Sequence, residues 1–229
     1  MNYTPLTHHP LFGLLLTLMA FRFGQWLYVK TNKHAFMQPV VVGMTAVIGV
    51  LLLIELPYSV YFDSAYLLHL LLGPVTVALA IPLYQNIKRI RALLFPIVAT
   101  LIIGSLVTVG SCLLIAWLLG AGDTTLFAMT TKSITTPIAM AVAEKIGATA
   151  ALAAPFVMFT GVLGAVIGPI ILARLGIHDD SVKGVALGLT SHAVGTARGL
   201  EISEECGAFA ALAMGLTGIL TALILPFLV

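Results

Sequence analysis

Long apolar runs separated by short polar breaks dominate the chain. Leu11–Val29, Pro39–Leu56, Tyr66–Tyr84 and Leu93–Leu119 each approach or exceed the roughly 20 apolar residues that carry a helix across about 30 Å of hydrocarbon. Only helices and closed barrels satisfy their backbone within lipid, and runs of this length predict helices, at about 11–29, 39–57, 65–84 and 93–119. The pattern then changes. Two stretches, at about 124–147 and 181–206, hold polar residues in the middle of membrane-grade sequence, and each leads into a further apolar helix, at 149–173 and 208–228. The expected fold is an all-α polytopic membrane protein of about eight membrane elements, in a single integral membrane domain over 1–229.

The two polar stretches are copies of one another. Thr130–Ala153 and Thr190–Ala213 align without a gap at a spacing of sixty, and nine of the 24 pairs are identical, among them Thr136/Thr196, Glu144/Glu204 and Gly147/Gly207. A chain this rich in Ala, Leu and Thr would match at roughly two or three by chance. The repeat therefore covers about 124–173 and 181–229. Gly73-Pro74, in LLGPVTVALA, reads as a faint third echo. About 24 residues can either cross as a broken helix or enter and return as a hairpin, so length leaves both arrangements open. Two copies each made of a hairpin plus one crossing would be inverted, an arrangement common in transporters, and loop charge favours it.

Composition bears on partners. The chain is 60% hydrophobic and only 9% charged, with a mean hydropathy of +1.10, against about a quarter charged in soluble domains. A net charge of +2 gives no reason to expect nucleic acid, and the bilayer is the expected surrounding. Basic residues follow the first apolar run (Lys30, Lys33) and the third (Lys88, Arg89, Arg91), which puts those loops in the cytoplasm and the N-terminus outside. No cleavable signal is expected, because the first run is long and lacks a small-residue site after it. Cys112 and Cys206 predict neither a metal site nor a disulfide framework.

Candidate chemistry lies in the repeat cores. Thr135-Thr136-Pro137 should interrupt a helix, since proline deletes a donor and crowds the carbonyl four residues back, and a new half-helix should start there with Thr135 or Thr136 as cap. The second copy offers Gly195 for backbone freedom and Thr196 for the cap, with Arg198 in the first turn. Two helix N-termini facing each other inside a membrane form an anion site, to which Lys132, His192 and Arg198 add cations. A small carboxylate is the expected ligand, with Ser133, Thr135, Thr136, Ser191 and Thr196 as hydrogen-bonding groups. Plainer roles are expected elsewhere. Gly161, Gly164 and Gly168 read as a packing seam, His69 as packed or interfacial, Arg22 as snorkelling, and Glu144 and Glu204 as solvated ends. Arg198 could instead pair with Glu201, three residues on. No enzyme is expected, since neighbouring Ser191 and His192 point apart on a helix and form no dyad, and no cofactor is implied.

The segments KSITTPIAMAV, SHAVGTARGLE, LLGPVTVALAIPLY and GAFAALAMGLTGILTALILPFL resemble the LrgB/CidB family of membrane proteins, which includes antiholin-like proteins and the related half of the plastidial glycolate/glycerate translocator. The resemblance runs from about Pro39 to Val229. Thr131 stands where such relatives usually have proline. The resemblance implies one of two roles: translocation of small monocarboxylates of the pyruvate, glycolate or glycerate type around a midplane site, or modulation of murein hydrolases and lysis with a small LrgA/CidA-type partner. Both place the chain in the cell (inner or plasma) membrane as a multi-pass protein. A second copy of the chain is a further candidate partner.

Overall fold

The computed structural model describes residues 9–32 and 34–227, and every regular element among them is helical. Lys33 lies outside the described residues, as do the side chain of His69 and the surroundings of Gly73. Four helices are long and apolar enough to cross a membrane, Leu11–Lys30, Leu94–Leu118, Ala150–Arg174 and Glu204–Phe227, and Pro39–Leu53 is a shorter apolar helix. This is a helical membrane protein. Its contacts group it into two compact units, 1–78 and 79–229.

The first unit contains α1 (Pro10–Lys30), a 3-10 turn (Ala35–Met37), α2 (Pro39–Leu53), α3 (Tyr58–Ser64) and α4 (Tyr66–Ala78). Proline opens α1, where no donor is lost, and His9 caps it by accepting from the Leu11 amide at 3.2 Å. Glycines let backbones approach: a methyl group at Gly24 would stand 2.7 Å from the Pro39 carbonyl, and one at Gly13 would meet Ser64 and Ala65. Thr17 and Tyr61 join α1 to α3 through a 2.8 Å hydroxyl contact. Arg22 is exposed and donates to Gln25 at 3.2 Å.

The second unit contains α5 (Ala80–Gln85), α6 (Ile87–Ala92), α7 (Leu94–Leu118), α8 (Asp123–Thr130), α9 (Thr136–Lys145), α10 (Ala150–Arg174), α11 (Asp180–Ile202) and α12 (Glu204–Ile224), ending in a 3-10 turn at Leu225–Phe227. The single helix expected over 65–84 is not present: α4 ends at Ala78 and α5 begins at Ala80. Pro82 accounts for the stop, because its ring crowds the carbonyl four residues back, that of Ala78.

One apolar core gathers Ile97 and Leu101 of α7, Val185 and Leu189 of α11, and Phe209 and Ala213 of α12. A second gathers Ala128, Ile134, Ala139, Val142, Ala143, Val157 and Leu225. The placing of these elements rests on how α11 is bent. A straight 23-residue helix would separate its ends by about 34 Å. Instead, the Ser203 hydroxyl, just past its end, donates to Asp180 at its start, at 2.8 Å. The chain doubles back at His192, whose φ of 43° and ψ of −128° are far from helical. The two arms, 180–191 and 193–202, lie so close that a methyl group at Gly195 would stand 2.2 Å from the Leu187 carbonyl oxygen. Both arms rest on α12, where Gly184 and Gly199 approach the same Cys206 carbonyl and Gly188 approaches that of Ala210.

Candidate functional site

In the first copy the chain leaves α8 at Thr130, makes tight turns through Thr131–Ile134, and re-enters a helix at Thr136. Thr135 takes the capping position with extended backbone, and Pro137 sits in the first turn, as its residue type requires. The Thr135 hydroxyl makes no capping bond, so proline and the backbone geometry set this boundary. Thr130 and Thr131 turn their hydroxyls onto carbonyls of the preceding turn at 2.6 and 2.9 Å, and Lys132 Nζ donates to Ser133 Oγ at 3.2 Å.

The second copy breaks elsewhere than expected. Non-helical backbone occurs at His192, and Gly195 and Thr196 lie within the returning arm. At the spacing of sixty, His192 corresponds to Lys132, so the second break matches the start of the first one and not its Thr-Pro end. Gly195 serves close approach, since the Leu187 carbonyl occupies the space of its missing side chain. Thr196 turns its hydroxyl back onto the His192 carbonyl at 2.9 Å and does not cap a new helix. His192 is buried, and its Nε2 lies 3.0 Å from the Val157 carbonyl. A carbonyl only accepts, so Nε2 carries the proton and donates, leaving Nδ1 buried with no hydrogen-bond partner among the described residues.

The seam of α10 explains how the bend is held. Gly161 faces the His192 ring and Gly164 faces Ser191, each too close for a methyl group unless the side chain moves, and Gly168 faces the movable end of Leu187. Gly161 is 11 residues from Ala150 and 13 from Arg174, so the bend lies near the middle of a helix about 37 Å long. Val157, which accepts from His192, also shares a core cluster with Ile134 of the first break.

Lys132 of the first copy and Thr190 of the second line one cavity of about 640 Å³, whose walls are otherwise almost wholly apolar: Met129, Phe156, Phe159, Leu163, Ile167, Ile171, Leu172 and Leu187, with Thr160. Ser133, Thr135, Thr136, Pro137, Ser191, His192, Gly195, Thr196 and Arg198 are not among its lining residues. Arg198 Nη1 lies 2.6 Å from Glu201, the pairing expected for a strut. Glu144 and Glu204 are both exposed, near the end of α9 and at the start of α12.

A polar cluster that sequence reasoning did not find closes the base of the hairpin. Arg89 pairs with Asp179 and with Glu205, each at 2.8 Å, tying α6 to the start of α11 and of α12. Asp179 caps α11 by accepting from the Ser181 and Val182 amides, and Lys183 pairs with Asp180 at 2.8 Å. The Ser181 hydroxyl, those amides and Arg89 hold the Asp179 carboxyl below the usual carboxylate range. Arg89 was legible only as part of a basic loop, because its partners lie 90 and more positions away.

The family model for LrgB-like proteins matches residues 17–229, nearly the whole chain and both copies of the repeat. The chain belongs to the LrgB-like family. Among curated relatives, this LrgB-like protein is 34% identical to the uncharacterized protein YwbG of Bacillus subtilis, over 94% of its own length and 96% of the relative's. It is 30% identical to the antiholin-like protein LrgB of the same organism (97% and 96% covered) and 28% identical to that of Bacillus mycoides (96% and 96%). No solved structure matches the LrgB-like chain significantly.

Proposed function

We propose that this protein is an antiholin-like modulator of murein hydrolase activity and lysis, acting in the cytoplasmic membrane with a small LrgA/CidA-type membrane partner and performing no catalysis itself. The observation that carries this reading is similarity, over almost the full length of both chains, to two proteins named antiholin-like LrgB. The helix α6 with Arg89, the end of α10 at Arg174 and the start of α11 with Lys183 would face the cytoplasm. The test is detergent-induced lysis of cells deleted for the chain and then complemented. Complemented cells should lyse more slowly, and only when the small partner is also expressed. Equal lysis rates with and without the chain would overturn the reading.

A second reading, translocation of a small monocarboxylate of the pyruvate, glycolate or glycerate type, is favoured by one specific observation. Two matched breaks, sixty residues apart, pack on the same α10 segment around Val157. In this reading the copies form an inverted repeat. The second copy would dip in from the side of Arg89 and return there, and the first would do the same from the opposite side. Support comes from the ends of α7 and α10. Ile97 near the start of α7 and Gly168 near the end of α10 both lie against the first arm of α11, so the first copy joins their two far ends. Alternating access around the breaks would follow, as in other carriers with inverted repeats. Uptake of labelled pyruvate or glycolate by liposomes holding the protein alone would support this reading, and absence of uptake across a monocarboxylate panel would remove it.

A further inference from the structure

The cavity between α8, α10 and α11 has an unusual division of labour. It holds one charged group, the Lys132 ammonium, which donates to the Ser133 hydroxyl at 3.2 Å, and among the described residues no carboxylate lines its wall. Thr190 turns its hydroxyl onto the Ala186 carbonyl at 2.8 Å. The rest is a strip of apolar side chains along α10, of which Phe159, Leu163 and Ile171 are exposed. An acid bearing several hydroxyls would lose water there without recovering its hydrogen bonds, a penalty of the unpaired-polar kind. An anion with a long apolar tail loses nothing along the strip, where the tail meets side chains as apolar as the lipid it leaves.

We propose that this cavity binds a single-chain amphiphile with a carboxylate head, the head on Lys132 and the tail along α10 towards Leu172. The volume, about 640 Å³, is that of a pocket for one drug-sized ligand. Lys132 lies at the first break and lines the cavity together with Phe156, Phe159 and Thr160 of the middle part of α10, a placement that suits a free carboxylate and not a two-tailed lipid whose headgroup is held at the interface. The proposal goes beyond both readings above and stands whichever of them holds.

The test is photolabelling of the full chain in zwitterionic nanodiscs with a diazirine-bearing dodecanoate, followed by peptide mapping. Label should fall on 156–172 and 186–190, be competed by unlabelled dodecanoate but not by dodecylamine, pyruvate or phosphatidylglycerol, and drop about tenfold in Lys132→Met, as for loss of one charged hydrogen bond. Should Lys132→Met fail to fold, Ala186→Phe, which fills the same cavity from α11, must give the same drop. Label spread over α7, label unchanged in both variants, or competition by dodecylamine, pyruvate or phosphatidylglycerol each overturns the proposal.

Discussion

His192 holds a backbone conformation that glycine adopts freely and other residues adopt at a cost of about 1–3 kcal/mol. What keeps it there is its ring, which is buried against Gly161 and donates to the Val157 carbonyl. The two effects separate by substitution. His192→Ala keeps the strain and loses the ring's packing and its bond to the Val157 carbonyl, so thermal unfolding in detergent should show a loss of about 1–3 kcal/mol. His192→Gly also loses the bond but relieves the strain, so it should be more stable than His192→Ala. In a straight helix the order would reverse, since glycine is about 1 kcal/mol worse than alanine there. Arg198 belongs to this scale too. As a partner of Glu201 it is expected to support the returning arm, and Arg198→Lys should lower stability by less than about 1 kcal/mol, the range of partly exposed pairs.

The hairpin of α11 is held by what its glycines lack. A methyl group at Gly188 would stand 2.1 Å from the Ala210 carbonyl oxygen and 2.8 Å from its Cα, and backbone cannot yield as a side chain does. Gly188→Ala is therefore expected to lose at least the 1–3 kcal/mol of ordinary overpacking. Gly110 of α7 has nothing within 4 Å, so Gly110→Ala should gain up to about 1 kcal/mol, and unfolding of the two variants side by side checks the contrast. This scale also shows what was legible beforehand. The break at Thr135–Pro137 and the packing seam of Gly161, Gly164 and Gly168 could be read because proline and small residues are local signals. The position of the second break could not: a positive φ at a histidine is imposed by α10 and α12, not by its neighbours in the chain. The split at Leu79 was missed because apolar periodicity continues through Pro82 even though the backbone cannot.

Across the whole molecule, the doubling back of α11 makes a topological prediction. Asp180→Cys and Ser203→Cys should react with an impermeant maleimide from the same side of the membrane, whereas a straight α11 would expose them on opposite sides. The polar base under that hairpin makes a prediction about acid. Because the folded Asp179 carboxyl titrates below its ordinary 3.8, its contribution to stability is complete above that value and is lost as pH falls through the lowered one. The stability gap between the wild type and Asp179→Asn should thus be constant from about pH 7 to 5 and close below about pH 4. The platform for both arms is α12, which the ribosome makes after them. Neither arm is apolar or long enough to stay in lipid by itself, and α11 carries Asp180, Lys183, Arg198 and Glu201. The hairpin therefore gains its platform only once Glu204–Ile224 has emerged, and a chain cut before Glu204 is expected to be cleaved by added protease within 180–202 where the whole protein is not.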